Sequence, residues 1–277
     1  MKALYVPITL VLLIVSSCQR GIYIPDKVNS PGFQQGGEAK FDISVKPQKP
    51  DSSGSGLSYS SDISYAPINH LGIIASYRSV NNKAVIEPKF YYGFGRFSKL
   101  NGQCIDIGAG YFNTLGTNGK YEAYGGYGNG TLINNGFVDT GINGRTYLNY
   151  KARYSRYFIQ LAMGFKNEEI VSFMGGFRIT LQQYYSFVSD NPEVKYSLVP
   201  DQSMDMMKQS FVFFEPYIEV QAGWKYVKFN YQFGCASQVA GPDLKYDLGL
   251  PYMTFGIVLY YSPRFFKHND KVKGPVE

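Results

Sequence analysis

Apolar and polar residues alternate with a period of two along most of this 277-residue chain. In 211–223, Phe214, Ile218, Val220 and Ala222 share one face, while Glu215, Glu219 and Gln221 share the other. After Gly223-Trp224-Lys225 the next segment puts Val227, Phe229, Tyr231 and Phe233 on one face and Lys228, Asn230 and Gln232 on the other. This is the signature of paired β-strands with one apolar side, joined by a hairpin. Similar alternation, interrupted by glycines, runs through 38–46, 57–66, 69–79, 103–112, 118–130, 153–165, 169–187 and 252–262. The pattern predicts ten strands, several of them long enough to cross a bilayer at a tilt.

The connections separate two architectures that share this pattern. Four are short (66–69, 113–117, 166–168, 224–225) and five are longer (47–56, 80–102, 131–152, 188–210, 238–251), in strict alternation. A soluble sandwich has no reason to sort its loops so. An up-and-down outer-membrane barrel does, because its periplasmic turns are short and its external loops long. The fold class is therefore all-β: an antiparallel membrane-spanning barrel of about ten strands, with eight and twelve also compatible. Residues 84–97 could form another strand, but one more would break the parity, so they read as a structured external loop.

The chain opens with Met1-Lys2, an apolar run from Leu4 to Val15, then Ser16-Ser17-Cys18. The run is too short for a membrane-spanning helix and reads as an export signal. A cysteine straight after Val15-Ser16-Ser17 resembles the bacterial lipobox, in which cleavage leaves a lipidated Cys18 as the first residue. The expected division is a signal peptide over 1–17, a lipidated periplasmic lead over 18–37, the barrel over 38–262 and a polar periplasmic tail over 263–277. An even strand number with short periplasmic turns puts both ends of the barrel, and the lipid, on the periplasmic side.

Composition narrows the chemistry. Tyr (25) and Phe (20) far outnumber Trp (1), only 17% of residues are charged, and the formal charge is +6. The Lys and Arg are scattered, which leaves no nucleic-acid footprint. Lys267, Lys271 and Lys273 could touch anionic headgroups, although a solvated tail fits them better. Cys104 and Cys235 match no metal-ligand spacing and fall on opposite strand faces, so neither a disulfide nor a metal site is expected. No cofactor motif is present: Gly125-Gly126-Tyr127-Gly128-Asn129-Gly130 lacks the ending of a phosphate loop.

With the lipobox, Tyr23-Ile24-Pro25, Tyr65-Ala66-Pro67-Ile68-Asn69-His70-Leu71-Gly72-Ile73, Gly108-Ala109-Gly110-Tyr111-Phe112 and Tyr124-Gly125-Gly126-Tyr127-Gly128-Asn129-Gly130 make a recognisable set. Tyr154-Ser155-Arg156-Tyr157-Phe158-Ile159-Gln160 and Phe214-Glu215-Pro216 complete it. The set resembles the outer-membrane β-barrel lipoproteins of Bacteroidota, over most of the mature chain. The resemblance implies the fold and location but carries no common activity. One departure is the polar stretch after Tyr260-Tyr261, where such barrels usually end on an aromatic residue. Surface lipoproteins of that phylum carry acidic residues after their cysteine; here Gln19-Arg20-Gly21 follows, which by analogy agrees with periplasmic anchoring.

If the apolar faces meet lipid, the other faces line the lumen. That set contains Lys40, Arg78, Arg156, Arg178 and Lys228, with Asp42, Asp62, Asp106, Glu122, Glu215 and Glu219. Near balance inside a narrow barrel predicts a paired network, since an unpaired buried charge is very costly. Glu215 and Glu219 raise the question of acid–base chemistry, but Lys228 and Arg178 are available as structural partners and their sequence neighbourhood holds no nucleophile–base constellation. His70 reads as a hydrogen-bonding turn residue. The expected function is thus a non-enzymatic accessory or scaffold subunit of a larger outer-membrane assembly. Its partners would be membrane lipids and other outer-membrane proteins, met through the outer wall and a loop carrying Met204, Met206 and Met207. A small pore is the alternative, and a barrel enzyme a third reading.

Overall fold

The computed structural model describes residues 26–47, 57–86, 96–139, 145–147, 149–166, 170–189, 209–241 and 250–263. The strands are β1 (Ala39–Pro47), β2 (Leu57–Ile68), β3 (Leu71–Ile86), β4 (Arg96–Leu115), β5 (Gly119–Asp139) and β6 (Arg145–Tyr147). They continue with β7 (Tyr150–Lys166), β8 (Val171–Ser189), β9 (Ser210–Gly223), β10 (Val227–Ala240) and β11 (Leu250–Tyr261). The three residues of β6 only border the end of β5, and β5 pairs directly with β7. The other ten strands pair antiparallel in chain order, and β1 closes on β11 with Ala39 opposite Tyr261 and Val45 opposite Phe255. The sheet is a closed ten-stranded up-and-down barrel.

The period-two pattern sorts the two faces. On β7 buried and exposed positions alternate from Tyr150 onward, with Arg156 and Gln160 inside and Ile159 and Leu161 outside. Ile63, Ile107 and Ile159 stand on the outer wall at 57%, 61% and 63% exposure. Rings flank this aliphatic band: Tyr65, Tyr111, Phe165 and Tyr261 toward the short turns, Tyr59, Tyr157 and Tyr185 toward the long loops. Tyr65 to Tyr59 is six residues and Phe165 to Tyr157 eight, so the belts lie about 15–20 Å apart at a tilt near 40°. An apolar outside between aromatic belts, around a polar inside, is the build of an outer-membrane barrel.

Two expectations are corrected. Residues 84–97 do not form a separate external loop throughout. β3 runs on to Ile86 and β4 starts at Arg96, with Asn81 opposite Asn101 and Ile86 opposite Arg96. The hairpin thus overhangs the barrel without adding a strand, and β5 overhangs with it to Asp139. The polar Asn81-Asn82-Lys83 has no apolar face because a wall standing above the bilayer needs none.

The second correction concerns 18–37. Its described part is not a lead outside the barrel: Asp26, Lys27, Val28, Asn29, Ser30 and Phe33 are buried in the lumen. Cys18, the Met204–Met207 loop and the tail from 264 lie outside the described residues.

Candidate functional site: a lumen filled by the N-terminal segment

Every residue of the expected charge network (Lys40, Asp42, Asp62, Arg78, Asp106, Glu122, Arg156, Arg178, Glu215, Glu219 and Lys228) lies on the inner wall and is buried. Part of their pairing runs through residues 26–37, which fill the space between them. At the short-turn end Gly37 N donates to Ala66 O (2.6 Å) and Gly36 N to Asn69 Oδ1 (2.7 Å). Phe33 packs edge-on against Phe112, centroids 5.5 Å apart, with Ala66 beside them. Gly32, at φ 63°, turns the chain where an L side chain would be strained. Its carbonyl accepts from Lys120 Nζ (2.8 Å) and Lys166 Nζ (3.5 Å), and its N–H donates to Glu122 Oε2 (2.9 Å).

Farther in, Ser30 Oγ donates to Glu122 and Ser30 O accepts from Lys40 Nζ at 2.7 Å. Asn29 takes Ser64 Oγ on its Oδ1 (3.0 Å) and Gln160 Nε2 on its carbonyl (2.7 Å). The Gln232 amide grips both sides of Val28, accepting from its N–H at 2.7 Å and donating to its carbonyl at 2.9 Å. One side chain here takes the place of a neighbouring strand. Lys27 Nζ pairs with Asp42 and, at 3.4 Å, with Asp62, and donates to Ser44 Oγ at 3.0 Å. Asp26 meets Arg78 Nε at 3.2 Å, while Arg78 Nη2 donates to Lys27 O at 2.9 Å.

The remaining charges are held wall to wall. Asp106 takes both Arg78 and Arg156, the latter through Nε at 2.6 Å. Glu215 accepts two bonds from Arg178, one at 2.9 Å, and one from Thr180 Oγ1 at 2.9 Å. Glu219 pairs with Lys40 at 3.3 Å and accepts from Gln232 at 2.8 Å. Lys228, expected beside these carboxylates, donates to Ser172 Oγ at 3.0 Å. Glu215 and Glu219 are thus both engaged in pairs, in separate parts of the network. Above the charges, buried Tyr150, Tyr154, Tyr184, Phe187 and Phe211 pack their rings together along the β7–β9 side of the lumen, with Phe213 buried on the same side.

The expected balance of five cations and six carboxylates is incomplete. The described buried residues hold nine cations and eight carboxylates, adding Lys27, Lys46, Lys120, Lys166, Asp26 and Glu38. Lys46 and Lys120 share parity with Asp42 and Glu122, a signal the sequence does carry. Asp26 and Lys27 carry no such signal, because an irregular segment has no period. His70 occupies the β2–β3 turn at φ 68°, with Nδ1 3.1 Å from Phe112 O and its ring stacked on Tyr111. Cys104 and Cys235 are free, the first inside the wall and the second outside it.

No family model matches the chain, and no curated protein matches it. Among solved structures it is similar to an outer membrane channel from Pseudomonas putida F1, at 10% identity, TM-score 0.41, 85% of this chain and 100% of that one. It is similar also to LpxR from Salmonella typhimurium (9% identity, TM-score 0.38, 80% of this chain, 100% of that one). A third is a major outer membrane protein from Thermus thermophilus (12%, TM-score 0.33, 80% and 99%). At such values the likeness carries no argument about activity.

Proposed function

We propose that this protein is a closed, non-enzymatic outer-membrane barrel, anchored by lipid on Cys18, that serves as an accessory or scaffold subunit of a larger membrane assembly. The observation that carries this reading is the lumen filled by residues 26–33, a segment whose polar groups are tied to the wall from end to end. A barrel without an open interior leaves its outer wall and its loops as working surfaces. The overhanging β3–β4–β5 sheet enlarges the loop side, where a partner would be met. Handling of protein insertion, secretion or nutrient uptake are the assembly types that use such subunits. Against catalysis stand Glu215 and Glu219, each spent on a buried cation.

Planar-bilayer recording of the purified full chain and of Glu219→Ala is the test. Silence from both is expected, with the variant less stable because Lys40 loses a partner. Steady conductance from the folded protein, with Glu219→Ala changing ion selectivity at nearly unchanged stability, would replace this reading with a pore. Co-purification of a stoichiometric membrane partner is the positive expectation; a solitary monomer from native membranes would remove the scaffold role.

A further inference from the structure

The direction in which residues 26–38 run decides at which end of the barrel the chain begins. Gly36 and Gly37 sit at the short-turn end, bonded to Asn69 and Ala66. Read backward from there, the partners on β2 pass from Ala66 to Ser64, bonded by Asn29, and then to Asp62, paired with Lys27. On β3 they pass from Ser76, within 3.5 Å of Asn29 Nδ2, to Arg78, which holds Asp26. Each step leads away from the turn at 69–70 and toward the long loops.

Arg78 lies three residues below Asn81, where β2 begins at Leu57. At about 3.3 Å per residue, Asp26 is roughly 10 Å under the rim. A return pass is closed off: Asp26 through Ser30 are at most 6% exposed, and the wall around them is hydrogen-bonded throughout. We infer that the polypeptide is threaded through its own barrel. The chain before Asp26 leaves at the long-loop end, so that a lipidated Cys18 is displayed at the cell surface with its acyl chains in the outer leaflet. This reverses the side expected from the sequence. The seven residues 19–25 reach roughly 23 Å when extended, enough to clear the rim and meet the bilayer beside it.

The inference rests on the proposed outer-membrane setting, with short turns in the periplasm, and the experiment separates the two. Cys235→Ser removes the partly exposed cysteine of the wall, and Cys104 stays buried. Single probes Arg20→Cys, Asn118→Cys (a short turn) and Lys245→Cys (the β10–β11 connection) are then treated with a membrane-impermeant maleimide on intact and on permeabilised cells. Heat-modifiable gel migration checks that each variant folds, and Gln19→Cys replaces Arg20→Cys if that one does not. Arg20→Cys and Lys245→Cys should label to a similar extent on intact cells, and Asn118→Cys only after permeabilisation. Labelling of Arg20→Cys only after permeabilisation, with Lys245→Cys still labelled on intact cells, overturns the threading and leaves the barrel orientation standing. No label on Arg20→Cys under either condition overturns it as well, by keeping residue 20 inside the lumen. If Lys245→Cys stays unlabelled on intact cells, the orientation itself fails and the surface display with it.

Discussion

Lys27→Met measures whether residues 26–33 belong to the core. Lys27 is fully buried, and its ammonium is shared by Asp42 and Asp62, both at most 1% exposed. Methionine keeps much of the side chain's length and removes the charge. Asp42 would retain Lys40 at 3.9 Å, Ser44 and Asn230. Asp62 would not fare as well: its oxygens accept no hydrogen bond among the described residues, and Lys27 is its ion-pair partner there. Leaving a buried charge uncompensated costs about 3–5 kcal/mol, so that loss is expected in urea unfolding from lipid vesicles, followed by heat-modifiable migration. Lys27→Met with Asp62→Asn removes the orphaned charge too and should recover more than half of it, since a buried pair replaced whole is often nearly neutral. A residue in a lead outside the barrel would behave otherwise, as surface substitutions usually stay within about 0.5 kcal/mol. A Lys27→Met loss that small would refute the filled lumen and everything argued from it.

Other outcomes test the wall and the anchor. Ile218→Arg and Phe229→Arg, both on the lipid-facing side, should each cost about 2–4 kcal/mol in the bilayer; folding yields into vesicles equal to wild type would mean the faces are misassigned. Gly126→Val drives a side chain into the Phe158 ring and the Ile107 carbonyl, and should cost about 1–3 kcal/mol by overpacking. Gly125→Ala next to it meets only Phe158 O at 3.8 Å and should unfold like wild type; equal losses for the two glycines would count against the packed interior. Cys18→Ala should abolish incorporation of a fatty-acid analogue in metabolic labelling, because the thiol is the acyl acceptor; equal label in the variant would end the lipoprotein reading.

What can be read from the sequence follows the lipid boundary. Between the aromatic belts, one face of each strand must be apolar and the other polar, so Phe229-Asn230-Tyr231-Gln232 shows its strand and its faces at once. Above the bilayer that requirement lapses. Asn81-Asn82-Lys83 therefore reads as loop, although it continues β3 opposite β4. Loop rhythm still yields the strand parity, since lengthening a hairpin leaves the number of crossings unchanged. Individual pairs are less legible. Glu219 meets Lys40 across 179 positions, and only the closure of β1 on β11 brings them together, which no local spacing encodes. Lys228 shares parity with Glu219 and points to the same lumen, yet it lies nearer the turn and bonds Ser172. Parity tells which side a residue faces and says nothing of its depth.

The lumen segment is illegible for a different reason, and that reason bears on how the protein folds. Its partners lie on β1, β2, β3, β5, β7 and β10, with Val28 and Gln232 204 positions apart. No partial sheet presents that set, so the segment cannot dock on a half-built wall and keep all its bonds. Nor can the barrel close first around an empty lumen at little cost, because Asp62 would then lack Lys27, and Glu122 would lack the Ser30 hydroxyl and the Gly32 N–H. Closure of β1 on β11 and burial of residues 26–33 therefore stabilise each other. A wall so rich in carboxylates and lysines draws part of its charge compensation from the chain that begins the barrel and also fills it. The charges inside form a binding site for the protein's own N-terminal segment.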